Sequence, residues 1–206
     1  MRPPAWLAAP VNVLKRRFPR LNRAIWDAMY RLGMWKHLDT SLSTGSEILQ
    51  LVDEYAPNPR ILDLGCGTSA NLPLTPGRYR HYHGVDLSTT AIRQAEGLER
   101  PDASFEVADI ATYSTSQRYD AILLREVLYY FPPEEAAQLL RRLADFLEPE
   151  GKIFIQMFES AGFDEVVRNC GLSLLYSRIE TTPDGAPGAT LMVVGNDAHS
   201  SSPASG

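Results

Sequence analysis

Two glycines stand where a short apolar segment ends, and their spacing is suited to binding a nucleotide. The segment Ile61–Leu64 is followed at once by Gly65, Cys66 and Gly67. A glycine has no Cβ, so its backbone can adopt positive φ and a ligand can approach it directly. We expect a helix over Ser69–Leu72 to follow, with free N–H groups at its start. The sequence therefore predicts a nucleotide site made mostly of backbone.

The residues around this turn indicate which nucleotide it holds. Gly65, Gly67 and Ala70 also fit the dinucleotide pattern G-x-G-x-x-G/A, and an acid, as that pattern requires, follows about 20 residues later. That acid is Asp86. The pattern by itself is weak, whereas Asp63, just before the glycines, is informative. Its carboxylate would repel a pyrophosphate but can pair with a cationic amino group. A ligand with ammonium and sulfonium groups therefore fits better than a dinucleotide.

Five segments of the chain, taken in order, resemble the motifs of the class I S-adenosylmethionine (SAM)-dependent methyltransferases. They correspond to the glycine turn, the ribose-binding strand end, the segment beside adenine, the fourth strand with the loop bordering the substrate pocket, and the turn into the fifth strand. In this sequence they are Ile61–Gly67, Gly84–Ser88, Ala108–Ile110, Tyr119–Phe131 and Leu147–Ile155. The resemblance implies an enzyme that uses SAM as its methyl donor.

The resemblance also implies roles for the residues at two of these strand ends. It places Asp86 where it accepts hydrogen bonds from both ribose hydroxyls, because an ionised carboxylate offers two acceptor oxygens, with Leu87 next to it. It places Asp109 where it accepts from the adenine amine, with the backbone of Ile110 beside it. The sequence leaves open that Asp86 forms a turn before Ser88 and that Asp109 is an ordinary turn residue.

Three further residues are expected near the cosubstrate. Asp63 either acts through water on the methionyl ammonium or holds the glycine turn by accepting from its N–H groups, and both interpretations remain open. Arg125 follows the fourth predicted strand and falls at the same edge of the sheet. Cys66 lies within the turn, but we assign its thiol no covalent role, because methyl transfer from a sulfonium is a direct in-line displacement.

A weakly acidic alcohol or an ammonium acceptor needs a base, and we expect that base just past the fourth strand. Glu126 is the leading candidate. Tyr130, Tyr129 and His37 come next, as orienting or proton-accepting groups. The alternatives are that Glu126 forms a salt bridge with Arg125 and that the two tyrosines line the core.

Apolar strand segments alternate with helical segments from residue 60 onward, a pattern typical of a parallel sheet with crossover helices. The predicted strands are Arg60–Leu64, His81–Asp86, Ser104–Ala108, Ala121–Leu124, Lys152–Met157, Ser173–Ile179 and Thr190–Val194. The predicted helices, besides Ser69–Leu72, are Ser88–Glu99, Pro133–Phe146 and Phe163–Asn169. The predicted fold class is α/β: a Rossmann-like, seven-stranded, mostly parallel sheet with an antiparallel closing hairpin and helices on both faces. Ligands in such folds lie at the carboxyl ends of the strands, where the candidate residues fall.

Two helices are expected before this fold. Apolar residues recur at helical spacing from Leu14 to Leu32, with Gly33 as a stop, and a second helix begins near Thr44 and ends before Pro57. We divide the chain into a helical extension or lid (1–54), a SAM-binding domain (55–195) and a disordered tail (196–206).

The helical extension also contains candidates for the site. In the resembled family such preceding helices often close over the SAM pocket, so Trp26, Tyr30 and Trp35 are secondary candidates together with His37. The alternative is that these helices pack only as structure.

Composition bears on partners, location and metals. The net charge of −5 over 206 residues gives no electrostatic reason to expect nucleic acid. A basic cluster at 15–17, with Arg20 and Arg23 nearby, is interpreted as a solvated helix face, with an acidic partner or membrane surface as the alternative. Two cysteines imply no disulfide framework and make the cytoplasm the default location. No segment approaches the roughly 20 apolar residues that span a bilayer. His81 and His83 lack a further ligand at metal spacing, so we expect no metal.

These expectations together favour a SAM-dependent methyltransferase that acts on an oxygen or nitrogen atom of a small-molecule acceptor, as a monomer or homodimer. The segment Arg125–Tyr130 resembles that of small-molecule methyltransferases, including the nodulation-factor sugar N-methyltransferases. The chain lacks, after the fourth strand, the Asn-Pro-Pro-aromatic signature of nucleic-acid and protein amide methylases. Two other hypotheses remain: a non-catalytic SAM-binding or regulatory module, and a NAD(P)-dependent oxidoreductase that uses the same glycine turn.

Overall fold

A single seven-stranded sheet forms the centre of the molecule. The computed structural model describes residues 19–34, 46–70, 72–158, 162–181 and 187–196. The strands lie in the order β3-β2-β1-β4-β5-β7-β6. They are β1 (Arg60–Leu64), β2 (His81–Asp86), β3 (Ala103–Val107), β4 (Tyr119–Arg125), β5 (Leu147–Met157), β6 (Ser173–Thr181) and β7 (Pro187–Gly195). Neighbouring strands pair in parallel, except that β7 is antiparallel to both β5 and β6.

Helices cover both faces of this sheet. The described residues form α1 (Pro19–Arg31), α2 (Ser46–Tyr55), α3 (Thr89–Glu96), α4 (Pro133–Ala144) and α5 (Phe163–Arg168), with a short 3₁₀ turn at Leu128–Tyr130. Residues of α2 and α3 pack in one hydrophobic cluster, and residues of α4 and α5 pack in another.

The central strands separate the two hydrophobic clusters. Leu62 and Leu64 of β1 belong to the cluster under α4 and α5, whereas Ile61 belongs to the cluster under α2 and α3. Successive side chains of a strand point to opposite faces, so a strand covered on both sides is apolar throughout. Ala121–Leu124 of β4, in which every residue is buried, shows this pattern. The predicted α/β architecture with its antiparallel closing hairpin is confirmed.

The predicted element bounds agree with the structure to within a few residues, with one exception. β1 and β2 have the predicted bounds, β3 begins and ends one residue earlier, and β5 starts five residues earlier, at Leu147. Helices α4 and α5 end at Ala144 and Arg168, short of the predicted ends.

The exception is the predicted helix over Ser69–Leu72, which is wrong. The described residues between β1 and β2 form turns and bends, without a helix. Ser69 has a φ of +56°, a left-handed conformation that an α-helix excludes. Pro73 follows within one turn and blocks extension, since proline clashes with the preceding turn of a helix. The glycine turn therefore does not open a helix, and the expected free helical N–H groups are missing there.

The amino-terminal extension is described only in part. α1 ends just before Gly33, which has the left-handed φ of +66° of a helix stop, and α2 ends before Pro57 as predicted. Trp35, His37 and the basic cluster at 15–17 lie outside the described residues, as do residues 182–186 of the predicted hairpin loop and residues 197–206 of the predicted tail.

The two neighbouring histidines of β2 share one partner on the edge strand. Nε2 of His81 and Nδ1 of His83 lie 2.9 and 2.8 Å from Oγ of Ser104. Within the described ranges, no group of three or more His, Cys, Asp and Glu side chains is arranged to hold a metal ion. Each helix in that part of the chain is too short or too polar to span a membrane.

Candidate functional site

The sheet topology brings three strand ends to one place. β1 lies between β2 and β4, so the chain leaves β1 to one side and later returns on the other. In open α/β sheets this change of direction leaves a crevice at the carboxyl ends of the strands, where ligands bind. Gly65 follows β1, Asp86 ends β2 and Arg125 ends β4. The candidate residues from three separate motifs therefore meet at this edge.

The glycine turn is held tightly against the neighbouring strand. The N–H groups of Gly65 and Cys66 both donate to the carbonyl of Val85, over 2.7 and 3.1 Å. Gly65 and Gly67 have φ values of +82° and +57°, which L-residues with side chains rarely adopt. A Cβ on Gly65 would lie 2.5 Å from Cγ2 of Val127. The glycines are thus required by backbone conformation and, at Gly65, by packing as well.

Asp86 joins the turn to the start of α3. One carboxylate oxygen accepts from the N–H of Gly67 over 3.0 Å, and the other accepts from the N–H of Ser88 over 2.8 Å. The residue is only 8% exposed. Burial raises the pKa of Asp86 to about 6, although both N–H bonds act against the shift. The turn-forming alternative is therefore observed, and each oxygen still has a second lone pair for a ligand hydroxyl.

Asp63 lies near the end of β1, two residues before the first glycine of the turn. It is fully buried, and one oxygen accepts from the hydroxyl of Tyr82 over 2.7 Å and lies 4.0 Å from the guanidinium of Arg125. Burial raises the pKa of Asp63, and the charge of Arg125 opposes that effect. Its other oxygen is buried without a hydrogen-bond partner. The N–H groups of Gly65, Cys66 and Gly67 donate to Val85 and Asp86, so the carboxylate of Asp63 does not accept from them.

This burial weakens one argument drawn from the sequence. The carboxylate of Asp63 was expected to repel a pyrophosphate beside the turn, but its charge is partly neutralised by Arg125, whose side chain is 9% exposed. The choice between SAM and a dinucleotide therefore rests on other observations.

Cys66 is part of the packing around the turn. Its side chain is buried, and its sulfur lies 2.9 Å from the position a Cβ on Gly84 would take. Burial raises the pKa of the Cys66 thiol, and the charges of Asp86 and Asp63 raise it further. The thiol stays protonated at neutral pH and is therefore a poor nucleophile.

Asp109 and Ile110 follow β3 beside the turn. Asp109 accepts from the N–H of Ala111 over 2.9 Å, so its side chain forms a local turn, which was one of the two interpretations. A methyl group of Ile110 lies 3.6 Å from the Cβ position of Gly65, and its carbonyl accepts from Arg142 over 2.7 Å. Through Ile110 this segment thus borders the glycine turn.

The carboxylate of Glu126 links the ends of β4 and β5. One oxygen accepts from the N–H of Phe158 over 2.9 Å, and the other accepts from the hydroxyl of Tyr129 over 3.0 Å. Glu126 has a φ of +57°, a left-handed conformation that is uncommon for residues other than glycine, asparagine and aspartate. Strained residues of this kind cluster at functional sites, where surrounding structure holds them in place.

Aromatic side chains from α1 cover the strand ends. The ring of Trp26 meets that of Tyr130 edge to face, with centroids 5.2 Å apart, and Tyr130 in turn lies 4.7 Å from Tyr129. The hydroxyl of Tyr30 lies 2.8 Å from the position a Cβ on Gly67 would take. Burial raises the pKa of Tyr130 to about 12, and the charges of Glu126 and Asp86 contribute. Trp26 and Tyr30 are thereby placed at the candidate site.

Three residues at this site were missed from the sequence. Tyr82 holds Asp63. Arg100 donates to Oγ of Ser69 over 2.8 Å and to the carbonyl of Leu72 over 3.0 Å, which fixes the segment expected to be a helix. Asp27 of α1 accepts from Ser88 and Thr90. Of these three residues, only Asp27 could have been found from the sequence, because it is an acid next to Trp26 on a predicted helix with an apolar face.

Comparison with known proteins identifies the part of the chain that carries this arrangement. Residues 61–151 match the family model described as a methyltransferase domain. The chain is 34% identical over 135 residues to a trans-aconitate 2-methyltransferase of Methylobacterium nodulans, which covers 65% of this chain and 50% of that protein. The chain thus spans about half the length of the curated relatives it matches.

Two solved structures share the fold at low sequence identity. The N-methyltransferase NodS from Bradyrhizobium japonicum, in complex with S-adenosyl-L-homocysteine (SAH), has a TM-score of 0.65 and 18% identity, over 74% of this chain and 85% of that one. The 1,6-didemethyltoxoflavin-N1-methyltransferase of Burkholderia thailandensis has a TM-score of 0.72 and 16% identity, over 88% of this chain and 90% of that one.

Proposed function

We propose that this chain, whose residues 61–151 match a methyltransferase domain, is a class I SAM-dependent methyltransferase that transfers a methyl group from SAM to an oxygen or nitrogen atom of a small-molecule acceptor. The observation that carries this proposal is the geometry of Asp86. Its two oxygens each accept one backbone N–H, from the glycine turn and from the start of α3, at the edge where the strand order changes.

The residues at this edge suit the adenosine part of SAM. Each oxygen of Asp86 keeps one acceptor position, and two adjacent positions match the two hydroxyls of a ribose. Ile110 borders the same turn, and we assign Asp109, Ile110 and Leu87 to the adenine and ribose. Gly65 and Gly67 allow the ligand to approach the backbone. We assign Asp63, Arg125 and the Cys66 backbone to the support of that turn, on which the methionine part would lie.

When bound, SAM would supply a methyl group activated by its sulfonium, which the acceptor atom would receive as the S–CH₃ bond breaks and SAH leaves. The task left to the chain is to orient the acceptor and exclude water, an advantage of up to about 7–11 kcal/mol in ideal systems. Trp26 and Tyr130 form an aromatic wall suited to both tasks. We assign Glu126 as the group that accepts the acceptor's proton, because its carboxylate lies just past β4 and next to Tyr129. Tyr130 and His37 remain candidates for orienting the acceptor.

The acceptor is proposed only as a class. The relatives act, by their names, on trans-aconitate and on 1,6-didemethyltoxoflavin, which are both small molecules. The net charge of −5 supports a small acceptor over nucleic acid. Both cysteines are free and buried, which supports a reducing, cytoplasmic location. We retain a monomer or homodimer as the proposed assembly, and residues 1–54 as a lid over the 55–195 domain.

Two measurements test the proposal. Calorimetric titration with SAM, SAH and NAD should show binding of the first two and no heat with NAD; NAD binding without SAM binding would indicate the oxidoreductase instead. An assay for SAH release should then be run against amines, phenols, sugars and carboxylic acids. Turnover of any acceptor supports the enzyme, whereas tight SAM binding with no turnover across the panel would indicate the non-catalytic module.

A further inference from the structure

Asp27 makes a polar contact between α1 and the start of α3. A single carboxylate oxygen of Asp27, Oδ1, accepts from the hydroxyl of Ser88 over 2.6 Å and from the N–H of Thr90 over 2.9 Å. These partners are 61 and 63 residues away in the sequence. Residues 19–31 lie outside the segment that matches the methyltransferase family model, so that match assigns Asp27 no role.

The two partners of Asp27 stand at the start of α3. Ser88 is the N-cap of that helix and accepts from the N–H of Ala91 over 3.1 Å. Asp27 satisfies a second N–H of the same turn, that of Thr90. A carboxylate is stabilised there by the N–H groups and by the helix dipole. Burial raises the pKa of Asp27, but the bonds from Ser88 and Thr90 lower it more, so the residue stays ionised at neutral pH.

A continuous set of hydrogen bonds connects this contact to the glycine turn. The N–H of Gly67 donates to Asp86, the N–H of Ser88 donates to the other oxygen of Asp86, and the hydroxyl of Ser88 donates to Asp27. Ser88 therefore touches the proposed ribose carboxylate with its backbone and α1 with its side chain.

The position of α1 decides where two aromatic residues lie. Trp26 and Tyr30 are four residues apart and so share one side of the helix. Trp26 packs on Tyr130, and the hydroxyl of Tyr30 reaches Gly67. Asp27 lies next to Trp26 in the sequence, and its bonds fix both the rotation and the height of the helix over the strand ends.

We propose that Asp27 is a positioning residue, which holds α1 across the glycine turn and thereby sets the affinity of the site for its cosubstrate. The part that concerns affinity rests on the proposed function. The part that concerns the position of α1 does not rest on it, because that position can be measured on the free protein. Because both donors bind the same oxygen, the inference predicts that an acceptor atom at this point matters more than the charge.

Three substitutions of Asp27 separate the contribution of its acceptor oxygen from that of its negative charge. Asp27→Ala removes the acceptor; Asp27→Glu keeps the charge but moves it by one methylene; Asp27→Asn keeps a carbonyl oxygen at the position of Oδ1. The matched control is Asp53→Ala, which removes a helical aspartate that pairs with Arg78 on the surface, away from the strand ends.

Hydrogen exchange of residues 22–31 should be measured on the free protein, and the SAH dissociation constant by calorimetry. For Asp27→Ala and Asp27→Glu we expect exchange at least about tenfold faster and an SAH dissociation constant raised about tenfold, the effect of losing hydrogen bonds to a charged acceptor. Asp27→Asn should stay within about threefold of the wild type in both, since a neutral oxygen still accepts both bonds. Asp53→Ala should change neither, whatever its effect on thermal stability.

Several results would overturn the inference. Unchanged exchange in α1 for Asp27→Ala and Asp27→Glu would show that Asp27 does not hold the helix. Faster exchange with unchanged SAH affinity would show that the helix does not act on the site. Equal losses for Asp27→Asn and Asp27→Ala would show that charge, not the acceptor, is needed. If the wild type fails to bind SAH, the proposed function fails, and the exchange data on the free protein still decide whether Asp27 holds α1.

Discussion

At the scale of single residues, four carboxylates around the candidate site behave differently because their surroundings differ. Asp63 is fully buried beside Arg125, Asp86 accepts two backbone N–H groups, and Glu126 joins two loops through Phe158 and Tyr129. Asp27 anchors a helix. The sequence made Asp63 and Asp86 both candidates for contact with the cosubstrate, but their partners and burial leave Asp86 as the acid better placed to meet a ribose.

The protonation of Asp86 predicts how cosubstrate binding depends on pH. Its pKa of about 6 means that the carboxylate is ionised at pH 7, whereas only about a tenth of it is ionised at pH 5. Because ribose hydroxyls donate to the ionised form, SAM affinity should fall about tenfold between pH 7 and pH 5. Calorimetry at both pH values measures this.

Substitution of Asp86 provides the control for that pH dependence. Asp86→Ala should weaken SAM binding about tenfold or more at pH 7 without unfolding the chain, and Asp86→Asn should bind weakly with no further loss at pH 5. A wild type whose affinity is the same at both pH values, or an unchanged titration for Asp86→Ala, would remove Asp86 from the ribose.

Glu126→Gln tests the proposed base. Glutamine keeps one oxygen that can accept from Phe158 but has no proton-accepting carboxylate, so turnover should fall by roughly 10²-fold while SAM affinity stays within about twofold. Tyr129→Phe is the control, because it removes a partner of Glu126 and leaves the carboxylate. Equal rates for wild type and Glu126→Gln, measured with SAH release, would exclude Glu126 as the base.

At the scale of elements, the glycine turn is held without a following helix. Its N–H groups bond to Val85 and Asp86, and Arg100 fixes the segment beyond it at Ser69 and Leu72. Tertiary hydrogen bonds thus replace the local ones that a helix start would have provided. The turn therefore depends on the packing of its neighbours, in particular on Val127.

A pair of glycine substitutions measures that packing. Gly65 and Gly77 have nearly the same φ, +82° and +83°, but a Cβ would lie 2.5 Å from Val127 at Gly65 and would meet nothing within 4 Å at Gly77. Gly77→Ala should lower the free energy of unfolding by about 1 kcal/mol through backbone strain. Gly65→Ala should lower it by roughly 1–3 kcal/mol more, because of overpacking. Urea denaturation that finds equal losses would contradict the contact with Val127.

At the scale of the whole molecule, α1 contacts the glycine turn and the start of α3, next to the proposed cosubstrate site. Binding there should stabilise the folded chain, because a ligand that binds only the native state shifts the unfolding equilibrium. SAH at about 100 times its dissociation constant should add about 2.7 kcal/mol of stability. For a chain of this size the melting temperature should then rise by about 5–10 °C.

The matching control for this thermal shift is NAD at the same concentration, which should leave the melting temperature unchanged. A rise in melting temperature with NAD and none with SAH would indicate that the glycine turn binds a dinucleotide and not SAM. A smaller shift for Asp27→Ala than for Asp53→Ala would agree with the anchoring of α1.

The α/β architecture, with its mostly parallel sheet and antiparallel closing hairpin, could be predicted from the sequence alone. Strands that are buried on both faces must be apolar throughout, and alternation of strands with amphipathic helices leaves few topologies open. The glycine turn and the acid at the end of β2 were found for the same reason: they follow from local spacing. The failed helix at Ser69–Leu72 shows the limit of such patterns, because Arg100, distant in sequence, decides how that segment lies.

Only the tertiary structure decided which partners each acidic side chain has. Asp63 pairs with Tyr82 and Arg125, and Asp27 with Ser88, across 19, 62 and 61 positions of sequence. Such pairings depend on the register of the strands and on where α1 lies, and no local period of the sequence encodes them. Local spacing therefore determined the kind of site in this protein, while the packing of distant elements determined the protonation, partners and placement of the residues within it.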